Sequence, residues 1–112
     1  PPLHWRRMLT DQEFQQHCDA ALSDLYSKLA AASDKFDFDV DMNNGALTVE
    51  FEDPRERFVV SPNSPVKQIW VSAHVQSFKF DWNGTAFVLP SAQSLEQLMA
   101  DAIRQRIPDF EL

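Results

Sequence analysis

A two-layer α+β sandwich is the fold class this 112-residue chain predicts: an antiparallel sheet of about six strands, with N- and C-terminal helices packed on one face. Three observations carry that prediction. Phe36–Met42 alternates apolar and acidic residues with the period of a half-buried strand. Asn44-Gly45 and Asn83-Gly84 each sit between alternating segments, where a two-residue turn with positive φ closes a hairpin. Apolar residues at helical spacing, each set behind a capping-box signature, flank this strand-rich middle.

Residues 1–9 read as a tail and 10–112 as one domain. Thr10 with Glu13 starts a helix whose buried stripe is Phe14, Cys18, Leu22, Leu25 and Leu29, ending near Ala32. Its other side carries Asp11, Gln15 and Asp19 in one row and Glu13, His17 and Asp24 in the next. The Asn44-Gly45 turn then pairs Met42 with Leu47, Val40 with Val49 and Phe38 with Phe51. The same register sets Asp41 opposite Thr48, Asp39 opposite Glu50 and Asp37 opposite Glu52. Asp53-Pro54 marks a turn, and Phe58–Ser61 a short third strand closed by Pro62 and Pro65. Gln68–His74 places Ile69, Val71 and Ala73 on the core face and Gln68, Trp70, Ser72 and His74 on the other. Ser77–Trp82 and Thr85–Leu89 flank Asn83-Gly84, a register that pairs Phe80 with Phe87 and Phe78 with Leu89. Ser94 with Gln97 opens the last helix, which buries Leu95, Leu98, Met99, Ala102 and Ile103 and stops before Pro108. Phe110 and Leu112 are expected to fold back between the two helices.

A net charge of −7 and scattered basic residues argue against nucleic acid and anionic membranes as partners. No apolar run approaches the ~20 residues of a transmembrane helix, and the chain start lacks the apolar core of a secretory signal. A single cysteine, Cys18, cannot form an internal disulfide and fits a reducing compartment, so an intracellular protein is expected. No Gly-rich phosphate loop, nucleophile elbow, paired cysteines or His-Glu-x-x-His motif occurs, and an enzyme is not the first expectation.

Charge is more informative. Eight carboxylates lie between Asp11 and Asp41 against only Lys28 and Lys35. Two like charges ~5 Å apart in water repel by roughly 0.8 kcal/mol, a cost that a bound cation would reverse. The plainer reading is a solvated acidic face that keeps an edge strand from wrong pairing. The sharper one is a set of weak, exchangeable sites for hard cations, coordinated from one side. His17, one turn from Glu13, could add a nitrogen ligand, though a lone surface histidine is more often just that. Trp70 points to the open side of the sheet, either as an anchor for a partner protein or as a cover over neighbouring strands.

Ser64-Pro65-Val66-Lys67-Gln68-Ile69-Trp70-Val71-Ser72, followed by Phe80-Asp81-Trp82-Asn83-Gly84, closely resembles the core signature of the frataxin family, called CyaY in bacteria. The order of elements and the acidic first helix extend the resemblance over about Thr10 to Ile107. It implies an iron-binding, non-enzymatic regulator of iron–sulfur cluster assembly that docks on the cysteine desulfurase and its scaffold protein. Family iron sites match Asp11, Asp19, Asp37, Asp39 and Asp41, and Glu13, His17, Asp24 and Asp34 join them by position. The family's docking surface matches Asn63, Lys67, Gln68 and Trp70. Iron (Fe2+ or Fe3+) is expected to bind weakly, to a monomer by default, with metal-driven oligomers left open. The bacterial cytoplasm is the expected setting and the mitochondrial matrix the alternative. Two departures matter. Ser61-Pro62 replaces the family's frequent Asn-Lys or Asn-Arg, and Lys28–Ser33 ends the helix with three alanines where acids are common, so fewer or weaker ions are expected.

Overall fold

The computed structural model describes residues 9–112, so almost all of the expected tail lies outside the described residues. The elements are α1 (Asp11–Ala32), β1 (Asp39–Asn43), β2 (Ala46–Glu52), β3 (Arg55–Asn63), a 3-10 turn (Ser64–Val66), β4 (Gln68–Ala73), β5 (Gln76–Trp82), β6 (Phe87–Val88) and α2 (Leu95–Arg104). Six strands form one antiparallel sheet in chain order, β1 to β6. Short connections between consecutive strands make that order the natural outcome.

Both helices start as the capping residues dictate. Thr10 Oγ1 accepts from the Glu13 amide at 3.1 Å while Glu13 Oε1 accepts from the Thr10 amide at 2.9 Å. Ser94 and Gln97 repeat the arrangement at 3.1 and 2.9 Å. Phe14, Cys18, Leu22, Leu25 and Leu29 of α1 are buried, as are Leu95, Leu98, Met99, Ala102 and Ile103 of α2. They cover the sheet face formed by Leu47, Val49, Phe51, Phe58, Val60, Ile69, Val71 and Phe80. Phe110 folds back and is fully buried, its ring 5.3 Å from Phe36 and 5.8 Å from Phe38, whereas Leu112 stays at the surface. None of the helices described is long and apolar enough to cross a membrane.

Four strand expectations need correction. The first strand begins at Asp39 because the amide of Phe36 bonds to the Ala32 carbonyl and that of Phe38 to the Phe36 carbonyl, committing residues 36–38 to the helix exit. Asp37 therefore has no place on the ladder and never opposes Glu52, while Asp39↔Glu50, Val40↔Val49, Asp41↔Thr48 and Met42↔Leu47 form as expected. β3 runs through Pro62 to Asn63, well past its predicted length. Its pairing with β2 ends at Val60, so beyond that point β4 alone flanks it and a missing N–H is tolerated.

β4 stops at Ala73, one residue early, because His74 and Val75 form the turn to β5. β6 is shorter than expected and pairs Trp82 with Phe87 and Asp81 with Val88. Asn83 Oδ1 accepts from the amides of Thr85 and Ala86, both at 2.8 Å, and builds a four-residue loop where two residues were expected. The shift is two residues, so each side chain keeps its face.

The His74-Val75 turn carries φ of 52° and 56° on two residues with a Cβ. Val75 is fully exposed, so no packing offsets its left-handed backbone. Val75→Gly is expected to raise unfolding free energy by about 1 kcal/mol in urea denaturation. Cys18 has no exposed surface, and burial, with the neighbouring Asp19 charge second, pushes its thiol up to about 12. Native protein at mildly alkaline pH should leave Cys18 unlabelled by iodoacetamide, with full labelling after denaturation.

Candidate functional site

The acidic residues of α1 are largely engaged. The Lys67 ammonium lies 3.1 Å from Asp11 Oδ1. Glu13 closes the helix cap, and Asp19 accepts from Gln15 Nε2 at 2.8 Å. Asp24 pairs with Lys28 at 3.2 Å, and Lys28 reaches on to Glu96 of α2 at 2.7 Å. The hydrogen bond to Glu96, and then that to Asp24, raise the Lys28 pKa. His17 lies flat on Trp82, ring centroids 3.9 Å apart and planes within 18°. That face of the imidazole is used in packing.

Strand alternation sends the β1 acids elsewhere. Val40 and Met42 pack against the core, so Asp39 and Asp41 project from the opposite, open face of the sheet rather than beside α1. Asp39 opposes Glu50, and Glu50 in turn opposes Arg57, whose Nε is 3.6 Å from its Oε2. One cation thus sits at the end of a three-strand row and offsets part of the repulsion. Asp34 and Asp37 are exposed on the link from α1 to β1. Among the described residues, Asp34, Asp37, Asp39 and Asp41 form no ion pair. Nor, among those residues, do three or more His, Cys, Asp or Glu side chains converge to enclose an ion. The single ridge anticipated from the sequence is divided between the α1 surface, its exit and the open sheet face.

That open face also carries the aromatic feature. Trp70 is 38% exposed, its Nε1–H donates to Gln68 Oε1 at 2.9 Å, and Gln68 Nε2 donates to Asp81 Oδ1 at 3.1 Å. Lys79, opposite Trp70 on β5, holds its ammonium 4.9 Å from the ring centroid. Asn63 opposes Gln68 across β3 and β4. Lys67 leaves this group: a left-handed backbone at φ 53° lies beneath an ammonium that turns to Asp11 on α1. Lys79 and Asp81 complete the polar surround of Trp70, and the pairing of β4 with β5 is the signal that could have found Asp81.

These features define a small acidic α+β protein that presents its chemistry on open surfaces. Residues 7–109 match the frataxin-like domain, and the chain belongs to that family. It is 31% identical over 99 residues to the iron-sulfur cluster assembly protein CyaY of Dechloromonas aromatica, covering 87% of this chain and 92% of that one. The protein of the same name from Cupriavidus metallidurans is 32% identical over 82 residues, 71% of this chain and 73% of its own. The solved structure of frataxin from Psychromonas ingrahamii superposes with a TM-score of 0.78 over 88% of this chain and 91% of that one; at 23% identity it speaks for the fold.

Asp39→Asn should raise unfolding free energy by about 0.5 kcal/mol at low ionic strength. The gain should fade in 0.5 M salt, at roughly the concentration where screening shortens to a few ångströms. Urea denaturation at the two salt concentrations measures both.

Proposed function

We propose that this chain serves iron–sulfur cluster assembly by holding iron weakly on surface carboxylates and docking on the assembly machinery through the open sheet face. The observation that carries the iron half is the set of exposed carboxylates, Asp34, Asp37, Asp39 and Asp41, with no cationic partner among the described residues. Hard carboxylate oxygens that reach an ion from one side leave it partly hydrated and exchangeable, as cargo must be. Asp19, still exposed, adds a further acid on α1, whereas Asp11 and Asp24 must first give up Lys67 and Lys28. Glu13 and His17 contribute less readily, since one closes the helix cap and the other stacks on Trp82.

The docking half rests on the exposed Trp70, bonded to Gln68 and covered by the Lys79 ammonium, with Asn63 alongside. Its partners in this reading are the cysteine desulfurase and the scaffold protein, consistent with family membership and with relatives named as assembly proteins. The reading is non-enzymatic: the bound ion is carried and released. Its setting is the bacterial cytoplasm.

A second reading has one observation in its favour, the lack of any convergent three-carboxylate group among the described residues. The acidic face would then meet a basic partner by charge complementarity, with metal binding incidental. Anaerobic Fe(II) titration followed by backbone amide NMR, on the wild type and on a variant combining Asp19→Asn, Asp37→Asn and Asp39→Asn, separates the two. A carrier shows shifts confined to α1, its exit and β1, and the triple variant loses them while keeping a desulfurase complex that Trp70→Ala weakens at least tenfold. Loss of that complex by the triple variant in the presence of chelator would establish the second reading instead.

A further inference from the structure

The end of the sheet beyond β4 holds a charged network that neither iron nor docking uses. His74 Nδ1 lies 3.0 Å from Glu56 Oε2 on β3, and His74 Nε2 lies 2.8 Å from the backbone carbonyl oxygen of Ala102 in the last turns of α2. Arg106, just past α2, donates to the other oxygen of Glu56 at 3.0 Å and to the Pro54 carbonyl at 2.8 Å. Its guanidinium stacks 4.5 Å above the Phe51 ring, and the Phe58 ring meets His74 edge-on at 4.8 Å. All three charged side chains are half-buried. The network therefore joins β3, the β4–β5 turn and the end of α2.

Hydrogen-bond accounting restricts the imidazole. A neutral ring offers one N–H and one lone pair, whereas both of its neighbours here, a carboxylate and a carbonyl, can only accept. The ring satisfies both only when each nitrogen carries a proton. Removal of either proton turns a lone pair toward an oxygen and breaks one of the two links. The backbone supports the same picture from a separate direction. His74 sits at φ 52° beside the exposed Val75 at φ 56°, a turn that strains both residues and needs an anchor to hold it.

We propose that His74 in its imidazolium form is a proton-operated clamp fastening the C-terminal end of α2 to the sheet. Glu56 on β3 faces the ring as its anionic partner. Arg106 beyond α2 faces the same carboxylate as a competing cation, yet binds the other oxygen, so both cations are accommodated. Ala102 on α2 supplies a carbonyl and Phe58 on β3 an uncharged ring edge. The sign follows from stoichiometry. The clamp is whole when the ring is doubly protonated and loses one link when either proton is removed, so its contribution declines toward alkaline pH.

The test compares wild type with His74→Gln by urea denaturation at about pH 5.5 and about pH 8, the limits of the ordinary histidine transition. The ratio of their folding equilibrium constants should be about tenfold larger at the acidic end, one charge-assisted hydrogen bond's worth. His17 is present in both proteins and cancels. Glu56→Gln should flatten the pH dependence in the same way. Parallel pH profiles for wild type and His74→Gln would overturn the clamp. Should the variant not fold, 15N NMR of the wild-type ring decides: two protonated, hydrogen-bonded nitrogens at acidic pH support the clamp, and one bare nitrogen there refutes it.

Discussion

Burial of one sheet face beneath two helices is the constraint on which the rest of this structure depends. The core positions of β2 to β5, from Leu47 to Phe80, meet the apolar stripes of α1 and α2, and removing that area from water is the main favourable term in folding. Because strand side chains alternate, each buried residue forces its neighbours outward. Asp39, Asp41, Glu50, Arg57, Trp70 and Lys79 reach the open face for that reason. The core thus decides where the functional chemistry lies. A one-residue slip in β2, β3 or β5 would bury charge and expose phenylalanine, which keeps the register strict.

Electrostatics is settled within the same frame. The excess of carboxylates is relieved locally by single cations placed across strands or between helices: Arg57 beside Glu50, Lys67 beside Asp11, and Lys28 between Asp24 and Glu96. Such exposed pairs contribute little to stability, typically below about 1 kcal/mol each. Their effect is to leave a graded surface. Some carboxylates are already occupied, and others, chiefly Asp34, Asp37, Asp39 and Asp41, remain open to a cation from solution. In the proposed iron role, binding at such a surface is weak and competitive, in contrast to the closed geometry of a structural metal site.

Away from that surface, the polar groups behave differently. Glu56, His74 and Arg106 are half-buried and mutually bonded, and they act where α2 ends and its last carbonyls would otherwise face the sheet. Arg104 performs a related task by donating to the Phe110 carbonyl at 3.1 Å, which holds the returning C-terminal segment in place. This network uses none of the open carboxylates and none of the residues around Trp70.

Much of the architecture was legible in sequence because its determinants are local. Capping boxes at Thr10 and Ser94, the period of α1 and α2, the Asn44-Gly45 turn and the first hairpin's register all follow from residues within a few positions of one another. Errors arose where a competing interaction took over: backbone bonds of the helix exit consumed Phe36–Phe38, the Asn83 side chain lengthened the last hairpin, and the end of β2 freed Pro62 to continue a strand. The site divides along the same line. Residue identities at Asp39, Asp41, Gln68 and Trp70 announced an acidic strand and an aromatic face. Which acids are already paired, which side of the sheet they occupy, that Lys67 turns to Asp11, and that Glu56, His74 and Arg106 meet at all were decided by tertiary packing. Those contacts join residues as far as 68 positions apart, and no local pattern encodes a distance of that kind.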